Sequence, residues 1–208
     1  MRKQYLAALM AVCALPSQAQ SPAAPYPIGP SVDSPKQRQS MRQFVTCLAE
    51  ARPRWARDIL SQPYLSTAQA SAASEVLTGR DKCLRVSEKE MTFRTSTLVA
   101  ALAEYFVRAE IRSSDPKRLA AVLATAPPLN SSEDFALCVT AHNVSAATDL
   151  ALSDPGSPAE NKAVSEVGAY LPSCMNPGEH LNVDVQSLRA LVSAALYRGV
   201  TAAGGSRQ

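Results

Sequence analysis

The sequence is poor in aromatic residues and glycine. Of its 208 residues, 5% are aromatic, one is tryptophan and eight are glycine, while alanine is abundant. Alanine-rich, glycine-poor chains favour helices over sheets. The 46% hydrophobic content excludes wholesale disorder, since the chain can bury a sizeable core. The composition also excludes collagen-like and coiled-coil-only proteins, but it does not indicate a function.

Long apolar segments are also missing. The longest apolar stretch is the ten residues 6–15, too short for a hydrocarbon core that needs about 20 residues of helix. It follows the basic residues Arg2 and Lys3 and precedes small residues at Ser17 and Ala19. This order is typical of a signal peptide, and we predict residues 1–19 as the signal peptide, cleaved after Ala19.

The segment behind the predicted signal peptide, residues 20–37, contains five prolines and is predicted as a flexible leader. Cys13 raises the alternative of a lipid-modified cysteine, but Val12 before it fits the lipoprotein pattern poorly. No later apolar run approaches 18 residues, so we predict no transmembrane helix. We therefore expect an exported bacterial protein, periplasmic or secreted.

One unit occurs twice in the chain. When the sequence is shifted by 91 residues, eleven of the forty positions from 44 to 83 are identical without a gap. An internal duplication is the economical explanation. It divides the chain into a first helical repeat at 38–126, a second at 127–203 and a flexible tail at 204–208. The identical pairs are Phe44/Phe135, Cys47/Cys138, Ala56/Ala147, Asp58/Asp149, Ser66/Ser157, Ala68/Ala159, Ala72/Ala163, Ser74/Ser165, Glu75/Glu166, Val76/Val167 and Cys83/Cys174.

Each repeat has helical periodicity. Met41, Phe44, Val45 and Leu48 lie on one helix face, and residues 185–199 repeat this spacing. Short helices are predicted over 55–60 and 144–152, and closing helices over 93–110 and 185–199. Strand-type alternation is not sustained anywhere, so we predict an all-α fold of two tandem related units with three to four helices each.

Helix starts can be predicted from short polar residues. Ser66 and Ser157 are expected N-caps, the latter followed by proline at the first helical position. Asp115 and Pro116 begin an extra helix of the first repeat that runs to about Thr125.

Four cysteines remain once Cys13 is removed with the signal peptide, and disulfides are the expected state outside the cytoplasm. Each repeat contains one pair 36 residues apart, which favours Cys47–Cys83 and Cys138–Cys174, each closing one unit. A pairing between repeats, such as Cys47–Cys138, is the alternative. Because no two of these cysteines are close in sequence, we expect neither a Cys-x-x-Cys redox motif nor a zinc site.

Residues for chemistry are scarce. The histidines are His142 and His180, and the sequence has no metalloprotease, serine-hydrolase or phosphate-loop motif. We therefore predict no catalytic residue, cofactor or metal. Acidic residues that recur in both repeats could act as a carboxylate pair in a hydrolase, but helix capping or salt bridges to Arg57 or Arg80 are the favoured interpretation. These acids are Asp58, Asp149, Glu75 and Glu166.

Charge is divided unevenly between the halves. Residues 20–126 carry 15 basic and 10 acidic side chains, whereas residues 127–208 carry 4 and 8. Three arginines surround the only tryptophan, a pattern that could bind an anionic partner. The favoured interpretation is that the arginines form a solvated face while the tryptophan packs into the core. The basic segment does not continue into a longer basic stripe, so we do not expect nucleic acid as a partner. The opposite net charges of the two halves could also support a homodimer. This segment comprises Arg52, Arg54, Trp55 and Arg57.

The repeated pattern resembles small exported bacterial proteins of unknown function that contain a duplicated Phe-x-x-Cys…Cys helical unit. The resemblance spans roughly residues 40–200 and implies no activity. The residues that carry it are Phe44, Cys47, Asp58, Cys83, Leu98 and Tyr105 in the first repeat, and Phe135, Cys138, Asp149, Cys174, Leu191 and Tyr197 in the second.

The duplication, the expected disulfides and the missing catalytic motifs together favour a non-catalytic binding or scaffolding module in the cell envelope, with an unknown protein or envelope component as its partner. A small envelope hydrolase that uses the repeated Asp and Glu positions is the alternative.

Overall fold

The computed structural model describes residues 33–77, 83, 94–176 and 183–204. These residues form nine α-helices and two 3-10 helices and contain no strand, so the all-α prediction is confirmed. The 3-10 helices cover Ile111–Ser113 and Leu171–Cys174. The α-helices are α1 (Pro35–Ala51), α2 (Pro53–Ser61), α3 (Thr67–Leu77), α4 (Thr95–Glu110), α5 (Pro116–Thr125), α6 (Ser131–His142), α7 (Val144–Leu152), α8 (Pro158–Gly168) and α9 (Val185–Gly204).

Two pairs of helices have the same boundaries in the two units at an offset of 91 residues. Helices α2 and α7, and likewise α3 and α8, begin and end at equivalent positions. One residue separates the first two helices of each unit, Arg52 in the first and Asn143 in the second. The two have similar backbone conformations, with φ −137° and ψ 59° at Arg52 and φ −148° and ψ 77° at Asn143. The units therefore have the same local architecture at equivalent positions.

Several helices begin where short polar residues predict a cap. Ser157 caps α8, Asp115 caps α5, and Ser66 accepts the Gln69 N–H at 3.1 Å. Helix α1 begins at Pro35, inside the last residues of the predicted leader at 20–37. It begins there because Ser34 and Gln37 cap each other reciprocally and proline tolerates the first helical position.

Helices α4 and α9 pack against each other at the centre of the molecule. Helix α1 packs on α4 as α6 packs on α9, and α5 packs on both α6 and α9. From Leu98 to Val107, α4 is buried at all but one position, as expected for a helix enclosed on every side. One apolar cluster thus spans both units. Its largest fully buried apolar side chains are Leu48, Ile59, Leu98, Leu102, Leu119, Leu123, Leu150, Leu171, Leu188 and Leu196.

A glycine lets α5 approach α9 closely. A Cβ added at Gly199 would lie 2.6 Å from Cδ1 of Leu119 and 2.9 Å from Cδ2 of Leu123, two fully buried leucines. This close approach accommodates the extra helix of the first unit against the closing helix of the second.

Both predicted disulfides are present. Cys47 on α1 is bonded to Cys83, and Cys138 on α6 is bonded to Cys174 in the second 3-10 helix. Each bond closes one helical unit, as the repeat predicts. The predicted signal peptide with Cys13, most of the leader, Arg80 and His180 lie outside the described residues.

Within the described part of the chain, no single helix combines the length and apolar character needed to cross a membrane. Helices α6 and α7 meet these requirements only when they are taken together, and they are bent by 107° at their junction.

Candidate functional site

The side chain of Arg189 on α9 lies at the centre of a buried group of charges. Only 3% of it is exposed. It donates to Glu104 on α4 from Nε at 2.6 Å and to Glu160 on α8 from Nη1 at 2.9 Å. Its Nη2 also donates to the carbonyl oxygens of Ala151 and Ser153, both at 2.8 Å. One guanidinium therefore holds α4, α8 and the end of α7 around α9.

Glu160 accepts further hydrogen bonds on both carboxylate oxygens. Arg38 on α1 donates to it from two nitrogens, at 2.6 and 3.0 Å, and the Gly156 N–H donates at 2.6 Å. Burial would raise the pKa of Glu160, but the bonds from Arg38 and Gly156 and the charge of Arg189 outweigh it and hold the pKa below its ordinary value. Burial likewise opposes the charge of Arg189, whereas Glu104 and Glu160 raise its pKa.

Arg42 on α1 completes the group. It donates to Glu104 from Nε and Nη2 at 3.1 Å, to Asp154 at 3.2 Å and to the Ser153 carbonyl at 2.6 Å. Three arginines thus face three carboxylates. Buried charges are tolerated only when they are paired and hydrogen-bonded, and here the three buried or half-buried arginines are paired with carboxylates from other elements. We call the five residues Arg38, Arg42, Glu104, Glu160 and Arg189 the buried charge cluster; its bonding assigns it a structural role.

A third buried carboxylate, outside the buried charge cluster, connects the two units. Glu133 on α6 accepts the backbone N–H groups of Tyr64 at 3.0 Å and Leu129 at 2.9 Å, and it also accepts from Arg198 on α9. Asn130, the N-cap of α6, donates back to the Tyr64 carbonyl at 2.8 Å. These bonds place the turn between α2 and α3 beside the start of α6.

A cleft of about 600 Å³ lies next to this junction, where α4, α6 and α9 begin. Both units contribute to it. Its size lies within the range of small-molecule sites. The residues that line it are Asp33, Tyr64, Leu65, Arg94, Ser96, Thr97, Ser131, Ser132, Asp134, Phe135, Cys174, Met175, Asn176, Val183, Asp184, Gln186, Ser187, Ala190 and Leu191.

Among the described residues, the cleft combines apolar surface with more acidic than basic side chains. Three aspartates and one arginine of the described part of the chain line it. Asp184 caps α9 through the Ser187 N–H at 2.6 Å, and Asp33 accepts from Gln186 at 2.7 Å. Asp134 is exposed in the first turn of α6. Leu65 at the rim is 56% exposed, which is unusual for a large apolar side chain in this protein.

Two of the acidic residues that recur in both repeats are brought together in the second unit. Asp149 and Glu166 line one shallow depression of about 400 Å³ with Lys162 between them. Lys162 pairs with Glu166 at 2.8 Å, and its own side chain is 71% exposed. Asp58 is exposed on α2, and Glu75 lies on α3. The predicted partner Arg57 pairs with Glu110 instead, and Arg80 lies outside the described residues. Glu166 forms an exposed salt bridge with Lys162, an arrangement that favours a surface ion pair over a catalytic dyad.

The arginine segment lies at the start of α2. Arg57 donates to Glu110 at 2.9 Å, and its guanidinium lies 4.3 Å above the centre of the Phe106 ring. Trp55 packs at the edge of the core, as the favoured interpretation expects, while Arg52 and Arg54 are exposed. An anionic partner at this segment stays a prediction.

His142 lies beside a disulfide, which the sequence did not indicate. One of its ring nitrogens and the sulfur atoms of Cys138 and Cys174 all lie within 4.8 Å of one another. The arrangement resembles a set of three zinc ligands, but thiolate sulfurs are the metal ligands, and these two sulfurs are bonded to each other. In this oxidised state the three residues do not form a metal centre.

Comparison of the chain with family models, with curated proteins and with solved structures returns no match.

Proposed function

We propose that the protein is an exported, non-catalytic binding module, and that the cleft at the start of α4, α6 and α9 is its ligand site. The cleft is the observation that supports this proposal, because it has a volume of about 600 Å³ and is lined by apolar and polar side chains from both units. The two disulfides support export, since they persist outside the cytoplasm.

The lining selects the kind of ligand. Phe135, Met175 and Leu191 offer apolar contact, and the described lining carries three aspartates against the single Arg94. A partner segment with apolar side chains and at least one lysine or arginine matches both features. We therefore propose a cationic, partly apolar segment of an envelope protein as the ligand.

Site-specific photo-cross-linking tests the location. A photoreactive residue replaces Ser187, which is exposed in the cleft, and in a control it replaces Ala121, which is exposed on α5 outside the cleft. With isolated envelopes of the producing cell, we expect a discrete cross-linked product from position 187 only, and its yield should fall at least tenfold with Asp134→Lys. Equal products from both positions, or none from position 187, would contradict the proposal.

The envelope hydrolase is the second candidate, and the shared depression of Asp149 and Glu166 is the observation that favours it. It predicts that Asp149→Asn abolishes a hydrolytic activity on envelope polymers while the fold is retained. Activity that survives this substitution would exclude the pair.

A further inference from the structure

The two disulfides occupy equivalent positions in the two units but differ in their neighbours. Cys138 lies one turn before His142 on α6, and the imidazole ring lies within reach of both sulfurs. The position equivalent to His142 in the first unit is Ala51, the last residue of α1. The disulfide Cys47–Cys83 therefore has no imidazole at the equivalent place.

His142 is held in position by a second contact. Its ring stacks on Tyr170, with ring centres 5.2 Å apart and planes at 8°. It is also the last residue of α6, so its ring lies at the C-terminal end of that helix. The imidazole is thus held near the two sulfurs.

The disulfide is reachable from outside. Cys138 and Cys174 are both half-buried, His142 is exposed, and Cys174 contributes to the wall of the cleft. A thiolate that enters the cleft can therefore approach the Cys174 side of the bond.

We propose that Cys138–Cys174 is an exchange-reactive disulfide that serves a dithiol partner, with His142 stabilising the departing thiolate, whereas Cys47–Cys83 is structural. This inference does not rest on the proposed ligand of the cleft. The reasons are that thiol–disulfide exchange accelerates as the leaving thiolate is stabilised, and that an imidazole N–H beside the departing sulfur can donate a hydrogen bond that favours the charged form.

The reaction balances with the dithiol as the reductant. One thiolate of the dithiol attacks Sγ of Cys174, the S–S bond breaks, and Cys138 leaves as a thiolate beside the His142 imidazole. The second thiolate of the dithiol then attacks the dithiol sulfur of the mixed disulfide and expels the Cys174 thiolate. The two protons lost by the dithiol pass to Cys138 and Cys174, so the dithiol is oxidised to a disulfide by two electrons and both cysteines end as thiols.

Timed reduction of the full chain tests this assignment. The oxidised protein is treated with dithiothreitol at pH 7, free thiols are alkylated at intervals, and peptide mass spectrometry follows each disulfide separately. Stabilisation of the leaving thiolate by the imidazole predicts about 3- to 10-fold faster opening of Cys138–Cys174 than of Cys47–Cys83.

Two variants separate the role of the imidazole from exposure alone. His142→Phe keeps an aromatic ring for Tyr170 to stack on and should remove most of the rate difference, while Ala51→His should accelerate opening of Cys47–Cys83. Far-ultraviolet circular dichroism checks that both variants keep the native helix content. Equal rates for the two disulfides in the unmodified protein, or an unchanged rate in His142→Phe, would overturn the proposal.

Discussion

Gln69 and Glu160 lie at equivalent positions of the two units, and each accepts a hydrogen bond from the backbone N–H four residues earlier. Leu65 donates to Gln69 at 2.9 Å and Gly156 donates to Glu160 at 2.6 Å. Both donors have a positive φ, of 61° and 76°. The turn geometry is therefore shared, whereas the charge is confined to the second unit, where Arg38 and Arg189 neutralise it.

Glu160→Gln should destabilise the protein by about 3–5 kcal/mol at pH 7, because it leaves Arg38 and Arg189 incompletely paired in a buried site. Glu166→Gln is the matched control on the same helix; its side chain is 40% exposed and pairs with the exposed Lys162. The control should change the free energy of unfolding by less than about 1 kcal/mol in urea titrations. Similar losses in the two variants would contradict the structural role of the buried charge cluster.

The stability of the protein should depend on pH through Glu160. Its folded-state pKa lies below the ordinary value of 4.5, so its stabilising contribution is complete above pH 4.5 and is lost as the pH falls through the lower folded-state pKa. Urea midpoints measured from pH 6 down to pH 2.5 should therefore fall more steeply for the natural sequence than for Glu160→Gln. Parallel curves for the two proteins would refute this contribution.

Each disulfide should stabilise its unit by about 3–4 kcal/mol according to the chain-entropy model, since the two loops are equally long. The double variants Cys47→Ser/Cys83→Ser and Cys138→Ser/Cys174→Ser should lose similar amounts in chemical denaturation. A loss confined to one variant would show that the two units depend on their bonds unequally.

Gly156→Ala should destabilise the protein by more than about 1 kcal/mol, because its backbone has φ +76° and an added Cβ would lie 2.7 Å from Cγ of Pro35. Leu65→Gly is the comparison at the equivalent turn. It replaces a non-glycine residue at φ 61° with glycine, which adopts this backbone conformation without steric cost, and should change the free energy of unfolding by no more than about 1 kcal/mol. Thermal unfolding of both variants distinguishes these effects, and a neutral Gly156→Ala would show that Pro35 can move away.

Local features of the fold could be predicted because they depend on neighbouring residues. The N-caps at Asp115 and Ser157, and the bounds of α7, follow from polar and apolar spacing along the chain. The disulfide pairing follows from the repeat, since each unit had to be closed on its own.

The buried charge cluster could not be predicted in this way. Arg38 and Glu160 are 122 residues apart, so only the packing of α1 against the second unit brings them together. One local signal was available: Glu104 lies within the apolar run 98–107, and Arg189 lies between Leu188 and Ala190. Charges embedded in apolar helices must find partners when they are buried, and these two are partners of each other.

The cleft also depends on tertiary structure. Its lining comes from the starts of three helices that are far apart in sequence, and the Glu133 bonds bring the turn at Tyr64 to α6. The proximity of His142 to a disulfide could not be predicted either, because Cys174 is distant from it along the chain.

The most direct test of the central claim is selection of a random peptide library on the purified protein, followed by calorimetric titration of the selected peptides. Peptides that combine apolar residues with lysine or arginine should bind, and Asp134→Lys should weaken them at least tenfold, while Glu166→Lys, outside the cleft, changes the affinity less than twofold. Selection of peptides that lack a cationic residue would contradict the assignment of the cleft as the binding site. Selected peptides that bind Asp134→Lys with unchanged affinity would contradict it equally.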